Sequence, residues 1–159
     1  MKLKDRVAIV AGGTKGIGLG IALEFAREGA KVVIGGRDAE TGAAGVEQIE
    51  KAGGEALFVT CDVAEMADLD AIVEKTVERF GRLDIYVANA GINDPDKTNF
   101  LEITPGQYDR IMDVNIKGMF FGGQKAARQM IRQGQGGVII NMSSVMAHLA
   151  LDAQVVYTV

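Results

Sequence analysis

Val7-Ala8-Ile9-Val10-Ala11 runs directly into Gly12-Gly13-Thr14-Lys15-Gly16-Ile17-Gly18, and the stretch from Ile17 to Ala26 that follows carries helical periodicity. A wholly apolar run of five residues reads as a buried parallel strand, and the periodic stretch reads as an amphipathic helix packed on it. The glycines between them let a ligand approach the backbone. The unpaired N–H groups of the helix N-terminus carry partial positive charge, so this strand, turn and helix form a seat for an anion such as a pyrophosphate. The spacing is G-x-x-x-G-x-G and differs from the commoner G-x-G-x-x-G of dinucleotide sites. It is also no Walker A loop, because Lys15 precedes Gly16 and no hydroxyl residue follows.

The rest of the chain fits such a site. Its 159 residues imply one domain, spanning 1–159, large enough to bury roughly 70% of the surface exposed by the unfolded chain. With 48% hydrophobic and 24% charged residues and only 2 prolines, the composition is globular. A net charge of −4 argues against a nucleic-acid partner, which needs a basic face. No apolar run is long enough to span a membrane, and Met1-Lys2-Leu3-Lys4-Asp5 lacks the apolar core of a signal peptide, so a cytoplasmic location is expected. Cys61 is the single cysteine, with no Cys or His spaced to join it around a metal; it reads as a small buried hydrophobe with no flanking cation to activate it.

Further strand candidates follow at Val32–Gly35, Ala56–Thr60, Leu83–Ala88 and Val138–Asn141, each separated by a segment long enough for a crossover helix. Strand and helix in alternation predict a parallel sheet covered on both faces. In the helix before the fourth strand, Leu69, Ile72, Val73, Thr76, Val77 and Phe80 form one stripe, closed by Gly81. A long helix from about Thr104 to Gln133 puts Tyr108, Met112, Asn115, Met119, Gly123, Ala126 and Met130 near one face. Asn115 is then an amide on an apolar stripe, either pinning the helix by a hydrogen bond or serving a site. The segment 93–97 reads as a polar loop.

In open parallel sheets ligands lie beyond the carboxyl ends of the strands. After the five strands come the glycine turn, Gly35-Gly36-Arg37, Cys61-Asp62-Val63, Asn89-Ala90-Gly91 and Ser143-Ser144, so the ends of all five converge on one cleft. The spacing Gly12-x-x-x-Gly16-x-Gly18, then Asp62-Val63, Asn89-Ala90-Gly91, Asn115-Ile116-Lys117-Gly118, and Ser144 with Tyr157 thirteen residues later, together resemble the classical short-chain dehydrogenase/reductase family across nearly the whole chain.

The resemblance implies an α/β, Rossmann-type doubly wound parallel sheet of strand order 3-2-1-4-5, with the family's later strands, substrate lid and catalytic lysine lying beyond residue 159. It implies hydride transfer between a nicotinamide and a small-molecule carbonyl or secondary alcohol, in the manner of 3-oxoacyl-carrier-protein reductases or related alcohol and sugar dehydrogenases. Full-length members are often homo-oligomers, tetramers or dimers. Carried over by motif, Gly12, Thr14, Lys15, Gly16, Ile17 and Gly18 would hold the cofactor. Asp62 and Val63 would meet its adenine, and Asn89, Ala90 and Gly91 would lie near its nicotinamide ribose. Tyr157 would be the acid/base, Ser144 the donor to the carbonyl oxygen, and Asn115 the residue that kinks the long helix and holds a proton-relaying water. A phenol titrates near about 10 and needs a neighbouring cation to exchange protons at neutral pH; the family's lysine, four residues after the tyrosine, supplies it. Where many members have polar residues in strands one and four, this chain has Ala11 and Ala88.

Cofactor choice turns on the end of the second strand. Gly36-Arg37 there, with Lys15 in the glycine turn, offers two cations to a 2′-phosphate and favours NADP(H). NAD(H) remains possible if Asp38 turns inward, and Asp38 otherwise caps the next helix. Two other readings stay open beside this one: a non-catalytic dinucleotide-binding or scaffold protein, and a hydrolase using Ser144 or Ser143 with His148. Asn141-Met142-Ser143-Ser144-Val145 does not match the G-x-S-x-G elbow expected of the latter, which leaves His148 as a loop residue at the substrate mouth.

Overall fold

The structure is a computed structural model and describes residues 1–93, 98–148 and 156–158. The predicted polar loop falls mostly on 94–97, outside the described residues. Five parallel strands form one sheet: β1 (Val7–Ala11), β2 (Lys31–Gly36), β3 (Glu55–Thr60), β4 (Ile85–Ala88) and β5 (Val138–Asn141), in the order β3-β2-β1-β4-β5. The crossovers carry α1 (Gly16–Arg27), α2 (Ala39–Lys51), α3 (Met66–Phe80), α4 (Pro105–Met112) and α5 (Met119–Arg132).

The apolar run of β1 is explained by strand alternation in a sheet with two cores. Ile9 and Ala11 point with Val33, Tyr86 and Ala88 toward Leu69 and Ile72 of α3 and Ala126 and Met130 of α5. Ala8 and Val10 point with Val32, Ile34 and Val87 toward Ala22 and Ala26 of α1 and Ile49 of α2. Each buried Val or Ile contributes about 1.5–3 kcal/mol, so a central strand gains from every position. Ala11 and Ala88, the two departures from the family pattern, are register partners across β1 and β4. Both are buried in one core, so apolar packing stands where many family members have polar residues.

Coverage on both faces does not extend to β5. Its residues are all exposed, Val138 at 54% and Ile139 at 39%, and among the described residues only β4 pairs with it, whereas the opposite edge strand β3 is half-buried. The inner end of the sheet is locked separately. Asp84 accepts from the backbone N–H of Val7 (2.9 Å), Arg6 Nη1 (3.1 Å) and Arg82 Nε (2.8 Å). The Gln133 side chain occupies both backbone groups of Leu83, at 3.0 and 2.6 Å.

The long helix begins and ends where expected but is not uniform. Thr104 and Gln107 form a capping box ahead of Pro105. Asp113–Gly118 is a π-helical turn joining α4 to α5. Its buried line runs through Ile111, Val114, Gly118, Gly122, Ala126 and Met130. The expected face is therefore displaced by about one residue in its first half, and Tyr108 is 43% exposed. The reason lies in Gly118 and Gly122, which carry no apolar side chain to mark the face. A Cβ at Gly118 would stand 2.7 Å from the Val63 carbonyl oxygen, and one at Gly122 would collide with the Tyr86 hydroxyl. Close approach at these points leaves Asn115 and Met119 half-buried, Met119 still packed against the core, and both line the cavity at the strand ends. No helix among the described residues is long and apolar enough to cross a membrane.

Candidate functional site at the strand ends

The glycine turn is built by contacts that exclude side chains. Gly12 has φ +76°, and a Cβ there would lie 2.7 Å from Ala90 Cα. Its amide and that of Gly13 both donate to the Gly35 carbonyl, at 2.9 and 3.1 Å, tying the turn to β2. Asn89 Nδ2 donates to the Gly12 carbonyl at 2.8 Å, tying it to β4. Gly18 packs beneath that bond: a Cβ on it would overlap the Gly12 carbonyl oxygen and stand 2.6 Å from Asn89 Nδ2. No side chain caps the N-terminus of α1 and no acidic residue occupies its first turn, which leaves its N–H groups for an anion.

Two cavities lie against this turn. One, of about 510 Å³, is lined by Gly12, Thr14, Lys15, the Gly36-Arg37-Asp38 end of β2, Cys61-Asp62-Val63 after β3, and Asn89 to Ile92. The other, of about 820 Å³, is lined by Asn89 to Asn93, Asn115, Ile116, Met119, Ser143, Ser144, Met146 and Tyr157, with Ile17 and Arg110. Asn89, Ala90, Gly91 and Ile92 belong to both, so the cavities share a wall at the end of β4.

In the smaller cavity the charges are already arranged. Gly36 is pressed against Thr14, whose Cγ2 would lie 2.6 Å from any Cβ at position 36, so the turn fills the place of an acidic side chain there. Asp38 caps α2, accepting from the Thr41 amide at 2.7 Å; that bond, with help from Lys15, holds its carboxyl below the usual carboxylate range. Arg37 Nη1 stands 3.9 Å from Asp62 Oδ2, while Asp62 Oδ1 accepts from the Ala64 amide at 3.1 Å. Cys61 is buried, and burial, reinforced by the Asp68 and Asp62 carboxylates, pushes its thiol up to about 12, as befits a packing residue.

In the larger cavity Asn115 is fixed by a reciprocal pair. Its Oδ1 accepts from the Ile92 amide and its Nδ2 donates to the Ile92 carbonyl, both at 2.8 Å. The amide thus pins the π turn to the loop after β4 and also lines the cavity. Ser144 Oγ accepts from the Met146 amide at 3.2 Å, which fixes its rotamer and leaves its proton for another acceptor. Ser143 lines the same cavity, and Tyr157, half-buried on the Val156–Thr158 turn, lines it too. The placement is not uniform: Ile17 is 70% exposed and lines the larger cavity, apart from Thr14 and Lys15, while Gly16 and Gly18 line neither and act through the turn's shape. His148 lines neither cavity; its backbone amide closes the turn on Val145.

A sequence model of the family described as short chain dehydrogenase matches residues 6–159. The chain belongs to the short-chain dehydrogenase family. It is 42% identical over 147 residues to a galactitol 2-dehydrogenase of Agrobacterium fabrum, covering 91% of this chain and 54% of that one. It is 40% identical over 162 residues to an L-rhamnose 1-dehydrogenase (NAD(P)(+)) of Azotobacter vinelandii, covering 99% and 62%. A crystal structure of a short-chain type dehydrogenase/reductase from Mycobacterium marinum superposes with a TM-score of 0.93 at 32% identity, covering 99% of this chain and 62% of that one. The chain thus spans between 54% and 62% of the length of these proteins.

Sequence reading passed over two members of the site. Ile92 takes part through its backbone, and an apolar side chain carries no signal of that. Arg110 sits in a helical segment rich in charge, where one more cation looks like solvated surface; only the fold turns it toward the cavity.

Proposed function

We propose that this chain is the nucleotide-binding and partly catalytic portion of an NADP(H)-dependent oxidoreductase that interconverts a carbonyl and a secondary alcohol. One observation carries the reading: the wall from Asn89 to Ile92 joins a cavity floored by the glycine turn to one holding Ser144, Tyr157 and Asn115. The glycine turn fits a dinucleotide, since Gly12 and Gly18 are held glycine by contacts under 3 Å and the first-turn amides of α1 are open. A bound nicotinamide coenzyme would supply or accept the hydride.

The chain's residues divide the remaining work. Tyr157 gives its phenolic proton to the forming alkoxide, or takes it back in the reverse direction. Ser144, with its oxygen held by the Met146 amide, donates to the same oxygen as charge develops. Asn115, locked to Ile92, fixes the cavity wall beside them and offers its neighbourhood to a relaying water. Asp62 and Val63 receive the adenine, and Asn89 holds the turn while its neighbours Ala90 and Gly91 border the ribose. Lys15 and Arg37 serve the 2′-phosphate, because Asp38 is committed to capping α2 and Gly36 leaves no acid in their way. Asp38 does line the same cavity, which keeps NAD(H) as the alternative coenzyme. The names of the sugar and alcohol dehydrogenase relatives favour that branch over the acyl-carrier reductases.

The test is a titration of purified protein with NADPH and NADH, followed by absorbance at the nicotinamide band with a panel of ketones and polyols. NADPH should bind at least about tenfold more tightly, Arg37→Ala should remove that margin, and Tyr157→Phe should abolish turnover without weakening coenzyme binding. Equal affinity for the two coenzymes would overturn the NADP assignment. Binding with no turnover, in this chain and in one extended through the family's lysine, would leave the non-catalytic reading.

A further inference from the structure

We infer that Arg110 selects a substrate bearing a carboxylate a few atoms from the reacting carbon, so that the carbonyl or alcohol compound handled in the larger cavity is an oxo or hydroxy acid. This rests on the reading of that cavity as the place where the carbonyl is held. Arg110 is the only charged side chain among the described residues that line it; the others are amides, hydroxyls and apolar groups. Arg6, Arg27, Arg37, Arg79 and Arg82 each sit beside a carboxylate oxygen. Arg110, like Arg128, has no hydrogen-bond or ion-pair partner among the described residues, and it alone of the two lines the cavity.

Position supports the assignment. Arg110 lies five residues before Asn115, roughly 7 Å along the helix axis, and α4 packs against the Val156–Thr158 turn that carries Tyr157. A guanidinium there stands within reach of the far end of a short substrate whose carbonyl meets Ser144 and Tyr157. Ile116, Met119 and Met146 give the same cavity apolar walls, and Arg110 is itself exposed, open to an anion arriving from solvent. One cation, with no lysine among the described residues that line the cavity, matches a monoanion, and the planar fork of a guanidinium matches a carboxylate; a phosphate dianion would call for a second positive group.

The experiment measures binding by calorimetry, with and without NADPH, for levulinate and its next two homologues against their methyl esters. In the wild-type protein the best acid should bind roughly tenfold to a hundredfold more tightly than its ester, and the margin should shrink with added salt. Arg110→Gln should bring acid and ester to within about threefold, Arg110→Lys should keep part of the preference, and unchanged NADPH affinity in both variants shows that the fold is retained. Equal or undetectable binding of acids and esters to the wild type, or a preference that survives Arg110→Gln, overturns the inference. Turnover is scored separately: acid-selective binding without NADPH oxidation, in this chain and in one extended through the family's lysine, would sink the reductase reading and leave the role of Arg110 in place.

Discussion

The bond pair between Asn115 and Ile92 can be tested through pH. A backbone N–H only donates and a backbone carbonyl only accepts, so the orientation of the Asn115 amide is set by its partners. Asn115→Asp keeps the shape and the bond from the Ile92 amide, but turns the donor facing the Ile92 carbonyl into a second acceptor. Losing that bond costs about 1 kcal/mol and leaving the carbonyl unpaired against a carboxylate about 1–2 more, so the variant should be about 2–3 kcal/mol less stable than wild type near pH 8. Protonation restores the donor, so the folded state raises the pKa of the new carboxyl, from about 3.9 to about 5.5 if the repulsion is worth about 2 kcal/mol. For a raised pKa the stabilising contribution is present below the unfolded value and lost as pH climbs through the folded one. Linkage then makes the deficit about 1.3 kcal/mol smaller near pH 4.5 than near pH 8. Urea unfolding of both proteins at the two pH values reads this difference directly, with the acid response of the wild type cancelling. A deficit that is equal at both values, or larger in acid, would refute the reciprocal pair.

Other expectations rest on separate contacts. Among the described residues the buried Tyr86 hydroxyl has no hydrogen-bond partner, so Tyr86→Phe should raise unfolding stability by about 1 kcal/mol, and a loss of that size would show the hydroxyl to be engaged. Burial pushes the Asp84 carboxyl up, but the bonds from Arg82, Val7 and Arg6 outweigh it and hold the group below the usual range. Its contribution is therefore present above the unfolded carboxylate pKa and lost in acid: Asp84→Ala should cost about 2–4 kcal/mol near pH 7, with the gap to wild type closing below about pH 4. Gly18→Ala should weaken NADPH binding at least about tenfold and cost about 1–3 kcal/mol by displacing the Gly12 carbonyl and Asn89; unchanged coenzyme affinity, measured by fluorescence titration, would show that the turn tolerates the shift.

What the sequence made legible follows from where its signals reside. Apolar continuity in Val7–Ala11 marked a central strand because both cores use it, and the order of motifs was enough to imply the strand order that the sheet has. The start of β4 was set two residues early, at Leu83, because hydrophobicity could not show that a glutamine fifty residues later takes both of its backbone groups. The buried line of the long helix was misplaced because it passes through Gly118 and Gly122, where tight packing has no apolar side chain to announce it. Within the site, Ser144 and Tyr157 were legible from their offset, and the structure sets both in one cavity. The Asp38 cap of α2 is local and was open to the sequence, whereas the Ile92 partnership of Asn115 and the lack of a partner for Arg110 among the described residues are facts that no local pattern encodes.

The stretch from Asn89 to Ile92 is one backbone thick and faces two chambers at once. If occupants of the two chambers displace this shared wall, their affinities are coupled, and the coupling is the same read from either side.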